Sequence, residues 1–283
     1  MHGHLHLTVR ADPATGRSFV GEQSHRAPMH VGKGHWDPAA RALTVHAVNA
    51  TAGLFAGDAV DWRVRVEPGA RLRLVGPSAT RVHRAARGGV ATDEEARAAQ
   101  VFTVAPGGWL EVWPELFIPH AGSRCRQTTR VEVARGGKLL FCESLAPGRV
   151  AMGEAWAFGS LRWATDIFYD GRPVARERWH LQPAARPETV AGWRDAGRAL
   201  GTDAPFYGTV FLVAEGLDPA HANWERMHGL QTDGGPLWLG VSPLAGGAGW
   251  TVKILARDGA ALRRTLGQVR TEMLDALAAA DQK

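Results

Sequence analysis

Val60-Asp61-Trp62-Arg63-Val64-Arg65-Val66 runs into Glu67-Pro68-Gly69, and Ala70-Arg71-Leu72-Arg73-Leu74-Val75 runs out of it. On both sides of the turn apolar and charged residues alternate, the period of a half-buried strand. The unit therefore reads as strand, tight turn, strand. It is echoed at Val104-Ala105-Pro106-Gly107-Gly108-Trp109-Leu110 and again at Val133-Ala134-Arg135-Gly136-Gly137-Lys138-Leu139. The glycines fall where a tight reversal needs a positive φ or a missing Cβ. Asp170-Gly171 marks a hairpin between residues 164–169 and 174–181. Leu5-His6-Leu7-Thr8-Val9-Arg10 shows the same alternation near the N-terminus. Units of this kind cannot bury their faces alone, so the fold expected is mainly β: stacked antiparallel sheets of strand-turn-strand repeats, solenoid-like in their stacking, with one or two helices in the C-terminal part.

The C-terminal part differs in character. From Ala260 onward the chain is rich in helix formers, and Leu262, Leu266, Val269, Met273, Leu274 and Leu277 make one apolar stripe at helical spacing. Asp258-Gly259 can open that helix. Shorter helices are expected around 187–200 or 219–230, the second with Asp218-Pro219 at its start. Residues 85–99 are small, polar and charged, and read as a loop or a short helix. With no sharp shift in composition, one domain over 1–283 is expected, a β-rich 1–181 and a mixed 182–283 ending in a helix near 260–280.

Composition narrows the function classes. Apolar residues make up 45% of the 283, enough for a buried core and unlike a disordered chain. The net charge of +5 comes largely from arginines spread along the chain and not gathered into a basic block, which argues against nucleic acid as a partner; it reads first as a solvated arginine-rich surface and next as attraction to an acidic protein partner. Two cysteines, Cys125 and Cys142, cannot build a disulfide framework, and a reduced, cytoplasmic setting is expected. The first residues carry no apolar signal segment, and no run approaches the 18 apolar residues of a membrane span, so no membrane association is expected.

The usual catalytic signatures are missing from the sequence: no Gly-x-Ser-x-Gly elbow, phosphate loop, dinucleotide fingerprint or His-Glu-x-x-His occurs. Twelve histidines are present. His2, His4 and His6 alternate, so on a strand they share one face about 6.5–7 Å apart, a spacing at which imidazoles can hold Ni²⁺ or Zn²⁺ between them. His120 follows an apolar strand and sits at a turn. Asp58, in Ala52-Gly53-Leu54-Phe55-Ala56-Gly57-Asp58, and Glu154, in Gly148-Arg149-Val150-Ala151-Met152-Gly153-Glu154, are carboxylates in apolar, glycine-bracketed surroundings. Such a group needs a partner, whether an arginine, a backbone N–H or a metal ion. A β-fold metal-binding module or metalloenzyme using His120 with Asp58 or Glu154 is the alternative that these residues leave open.

Several segments, in order, resemble one known family. Val48-Asn49-Ala50-Thr51-Ala52-Gly53-Leu54-Phe55-Ala56-Gly57-Asp58 is similar to the hallmark Asn-Pro-Ser/Thr-Gly-Gly-Leu-x-Gly-Gly-Asp run of the UreD (UreH) urease accessory proteins. Gly76-Pro77-Ser78-Ala79-Thr80-Arg81-Val82-His83-Arg84 resembles the family's run ending in Ala-Thr-Lys-x-Tyr-Arg. Leu110-Glu111-Val112-Trp113-Pro114-Glu115, Gly148-Arg149 with Gly153-Glu154, and Tyr169-Asp170-Gly171-Arg172-Pro173 follow in the family's order. Ala52 and Ala56 stand where the hallmark has glycine, Ala50 where it has proline, Arg81 where lysine is usual and His83 where an aromatic is usual. The resemblance implies a non-enzymatic, cytoplasmic chaperone of nickel insertion with no tightly bound cofactor. It further implies transient passage of Ni²⁺ and complexes with a UreF-like accessory protein, a UreG-type GTPase and the apo-urease subunits. It carries Asp58 and Glu154 onto acidic positions along the nickel route, and it makes Ser78, Thr80, Arg81 and His120 candidates for a tunnel lining. Oxygen ligands suit such a route, because they hold a borderline dication weakly enough to release it.

Overall fold

The three echoed units do not fold back on themselves. At each turn the chain rounds a corner and leaves one sheet for another: Ala59–Val66 belongs to a seven-stranded sheet, Arg71–Val75 to a second and larger one. In the computed structural model, Val66 lies opposite Val104 and Val104 opposite Val133 in the first sheet, while Leu72, Leu110 and Leu139 line up in the second, all in parallel pairing. The register on both sides of the corner therefore equals the spacing of the sequence echoes. The corner itself repeats. Ala70, Gly108 and Gly137 each donate N–H to the carbonyl three residues back, at 3.0, 2.9 and 2.8 Å, with Gly69, Gly107 and Gly136 at φ of 71°, 69° and 74°.

The antiparallel pairing expected for these units is thus corrected. They are arches stacked in parallel, which is the solenoid arrangement. Alternation shows that a strand is half-buried; it does not tell a hairpin within one sheet from an arch between two. Antiparallel pairs do close the stack. Ser18–Arg26 folds against His2–Ala11, and Arg172–Leu181 against Ser160–Tyr169 through the expected Asp170-Gly171 hairpin. Both turn residues have positive φ, 48° and 74°, as a two-residue hairpin of the primed type requires. In the second sheet the antiparallel strands Phe206–Val213, Gly249–Ala256 and Leu237–Pro243 follow the parallel ones.

The model describes every residue except 85, 88, 89, 92, 93, 232–234 and 283, with the backbone alone at 86, 87, 90 and 91. The stretch read as a loop or short helix at 85–99 lies partly outside the described residues. From Ala96 it is strand, Ala96–Val104, in the middle of the first sheet.

Two cores hold the layers. Leu5, Leu7, Val64, Leu72, Leu74, Phe102, Leu110 and Phe141 fill the space between the sheets. The outer face of the second sheet, with Leu140, Val210, Leu212, Val252 and Ile254, is covered by the long helix Gly259–Ala280. Asp258 caps that helix by accepting from Ala261 N–H at 2.8 Å. Its stripe of Leu262, Leu266, Val269, Met273 and Leu277 is buried as the spacing predicts, with Leu274 half-buried beside it. Both shorter helices form, Ala191–Arg198 and Ala222–His228, so among the described residues the C-terminal part holds three α-helices and not the one or two expected. Cys125 and Cys142 are free and buried, and burial pushes both thiols well up, so they remain protonated.

Candidate functional site

Four segments far apart in sequence meet in one row. Leu54 bridges to Val82; Thr80–Val82 pairs with Phe117–Pro119, and Phe117 pairs with Leu145. The row is tied by Leu54 N–H to Arg81 C=O and His83 N–H to Leu54 C=O, both 2.8 Å, and by His120 N–H to Val82 C=O at 3.0 Å. A Cβ at Gly53, which has φ 144°, would lie 2.3 Å from the Arg81 carbonyl oxygen, so this close approach requires glycine. Gly57 has φ 78°. Ala52 and Ala56 are not among the residues with positive φ. The two glycines that the backbone needs are present, and the two positions that carry alanine do not need one. His83 likewise does an aromatic's work, lying flat on Phe55 at 4.6 Å with an interplanar angle of 11°.

The carboxylates singled out in the sequence sit in and beside this row, already partnered. Asp58 is buried; its Oδ2 accepts from Phe55 N–H at 2.9 Å and its Oδ1 from the Met1 nitrogen at 2.6 Å. Glu154 is held by Arg149, whose Nε donates to Oε2 at 2.8 Å and whose Nη2 donates to Oε1, and Ala121 N–H adds a third contact at 3.2 Å. The Arg149 hydrogen bonds hold the Glu154 carboxyl below the usual carboxylate range. His120 is buried with its ring edge against His83 at 4.5 Å. Burial, then the neighbouring His83 and Arg149, push its imidazole below the ordinary value, and Glu154 opposes them only in part. At neutral pH His120 is therefore uncharged. Arg81 and His120 line an outer groove, while Asp58 and Glu154 serve the turns beside it.

Ser78 and Thr80 face elsewhere. They lie on the wall of a cavity of about 100 Å³ between the two sheets, shared with Gln100, Gln127, Glu115 and Glu143. Leu54, Thr80 and Phe117 belong both to this wall and to the row of motifs, so the motifs build one side of the cavity. Glu143 is the residue that the sequence reading missed. It is 4% exposed, and its Oε1 accepts from Trp163 Nε1 at 3.0 Å and from Thr165 Oγ1 at 2.8 Å. Burial pushes its carboxyl up to about 7, the Thr165 and Trp163 hydrogen bonds opposing. The available signal was a lone acid in the middle of Lys138–Leu145, a strand otherwise almost wholly apolar. The cavity has room for about three waters, and every polar side chain named on its wall offers oxygen.

The N-terminal histidines occupy the outer face of His2–Ala11, as alternation predicts, with Leu5, Leu7 and Val9 inside. The His4 and His6 rings are 4.7 Å apart. Each already has a partner: His4 Nε2 meets Ser24 Oγ at 2.8 Å, and His6 Nε2 meets Asp61 Oδ2 at 2.9 Å. Among the described residues no three His, Cys, Asp or Glu side chains converge as a metal site, and no helix is long and apolar enough to cross a membrane.

Fold and site together define a mainly β protein of stacked arches, with a cavity of mixed apolar and polar lining that the row of motif segments borders on one side. The family model for the UreD urease accessory protein matches residues 1–282. A urease accessory protein UreD of Opitutus terrae is 42% identical over 97% of this chain and 94% of its own length. Those of Herpetosiphon aurantiacus and Mycolicibacterium gilvum are 36% identical over 65% of the chain and 61% of the relative, and 32% identical over 93% and 90%. The chain belongs to the UreD family of urease accessory proteins.

Proposed function

We propose that this chain is a scaffold of urease maturation that carries out no covalent reaction of its own and passes nickel toward apo-urease. It acts in the cytoplasm, in complex with a UreF-like accessory protein and a UreG-type GTPase. The observation that carries this reading is the cavity between the sheets, with Ser78, Thr80, Gln100, Gln127 and Glu143 around it. A delivery route has to bind its cargo and let it go. Hydroxyl and amide oxygens are weak ligands for a borderline dication, and the one carboxylate well inside the wall, Glu143, changes charge near neutral pH. Nickel enters as cargo and leaves with urease, so no resident cofactor is needed.

In this reading Asp58 and Glu154 act from the flank. Each is partnered within the chain, Asp58 by Phe55 and Met1, Glu154 by Arg149 and Ala121. Asp58 holds the 53–58 loop, whose Leu54 stands on the cavity wall, and Glu154 holds the 148–155 hairpin on the outer side. The test is nickel-dependent activation of apo-urease by the reconstituted set of accessory proteins, with and without this chain. Full activation in its absence removes the proposal.

A further inference from the structure

The Gly148–Glu154 motif is spent on something other than the cavity. Gly148 and Arg149 pair with Ala155 and Glu154 in a short hairpin. A Cβ at Gly148, φ 136°, would lie 2.3 Å from the Glu154 carbonyl oxygen; Gly153, φ 71°, closes the turn with its N–H on Val150 C=O at 2.9 Å. The Arg149–Glu154 fork locks the two sides together. All of this rigidity holds three residues, Val150, Ala151 and Met152, out in solvent, with Val150 40% and Met152 67% exposed. A turn fixed by two glycines and a bidentate ion pair presents its apolar tip without further loss of backbone freedom on binding, as an interface anchor requires.

Beside the tip runs a groove of about 780 Å³ with Ile118 and Phe206 among its apolar lining and Arg81 and Arg257 at its sides. Phe55, 44% exposed, extends the apolar surface by way of its stack on His83. Arg81 makes no ion pair among the described residues, and the carboxylate nearest Arg257 is Asp258 at 3.7 Å. Arg149 is neutralised by Glu154, and His120 carries no charge at neutral pH. The groove is therefore apolar, with Arg81 left to be matched and Arg257 held only by a loose pair with Asp258 at the groove's edge.

We infer that the 150–152 turn and this groove dock an extended protein segment in which one or two large apolar side chains are flanked by Asp or Glu. The apolar residues cover Met152 and Val150, and an acid meets Arg81, with Arg257 beside it only loosely paired to Asp258. Two separated cations around an apolar floor fit such a segment better than the continuous basic track a nucleic acid needs. The surface lies on the far side of the motif row from the cavity. The inference rests on the scaffold reading only in taking the UreF-like protein and apo-urease as the partners to test.

The experiment places a photo-crosslinking residue at the tip, Met152→p-benzoylphenylalanine, in the full chain mixed with the UreF-like protein, the GTPase with GTP, apo-urease and Ni²⁺. The cross-linked peptide is then sequenced. The expected product is a single segment of one partner, rich in Asp or Glu around an apolar residue. The double variant Val150→Ser, Met152→Ser and the charge reversal Arg81→Glu should each weaken that partner's binding at least tenfold with an unchanged thermal midpoint, and Arg81→Glu should also flatten its salt dependence. A cross-link to a neutral or basic segment, variants that bind as the wild type does, or recovery of the chain on anionic vesicles through this turn overturns the inference. Absence of a cross-link in a mixture that still activates urease overturns the docking surface and leaves the scaffold reading standing. Absence of both overturns the two together.

Discussion

Glu143→Gln is the substitution whose outcome can be worked out most fully. The side chain is buried among Phe102, Phe141 and Trp163, with its carboxyl pushed up to about 7 from an ordinary 4.5. In the folded chain it holds its proton where the unfolded chain has lost it. That favours the fold below pH 4.5, and the advantage disappears as pH rises through 7. The gap is worth roughly 3 kcal/mol in all, most of which falls between pH 5 and pH 8. Glutamine has the same shape and no charge. Its Oε1 can keep both donors, Trp163 Nε1 and Thr165 Oγ1. The variant should therefore match the wild type within about 1 kcal/mol at pH 5 and exceed it by roughly 2–3 kcal/mol more at pH 8. Urea unfolding of both chains at the two pH values measures this directly. Stability curves that run parallel from pH 5 to pH 8 would refute the reasoning, since they would mean that Glu143 titrates alike in the folded and unfolded chain.

The loops beside the cavity and the arch stack give three further outcomes. Gly53→Ala, which puts a Cβ 2.3 Å from the Arg81 carbonyl oxygen, should destabilise by at least about 2 kcal/mol in the same urea assay, whereas Ala56→Gly should change stability by less than about 1 kcal/mol. Asp58→Ala leaves the Phe55 N–H without its acceptor and should cost about 1–2 kcal/mol, with faster hydrogen exchange confined to 53–58. Leu110→Ala, at a fully buried position in the arch stack, should cost about 2–5 kcal/mol and lower the thermal midpoint of the whole chain.

Much of the frame can be read in the sequence because the physics is local. Alternation marks Ala59–Val66 and Arg71–Val75, the glycine corners mark the ends of the arches, and the apolar stripe marks Gly259–Ala280. Even the register was present, since Val66, Val104 and Val133 align at the spacing of the echoes. The direction of pairing was not, because a Pro-Gly corner between two alternating runs serves an arch as well as a hairpin. At the site, the hallmark residues identified the row of loops but not the partners of its charges. Arg149 lies five residues from Glu154 and Phe55 three from Asp58, so both could be guessed; the Met1 nitrogen on Asp58 and the closeness of His83 to His120 depend on the stacked layers. Glu143 escaped notice because attention to turns passes over a strand interior, although an acid between Phe141-Cys142 and Ser144-Leu145 is the kind of local conflict that marks a functional or strained position.

The most direct test of the account obstructs the cavity and leaves the rest of the surface alone. Thr80 stands on its wall, and Thr80→Phe places a ring there. Nickel-dependent activation of apo-urease is then measured with the wild-type and Thr80→Phe chains, each first shown to co-purify with the UreF-like protein, the GTPase and apo-urease. The account predicts intact complexes and activation lowered at least tenfold. Intact complexes that activate urease at the wild-type rate would contradict it.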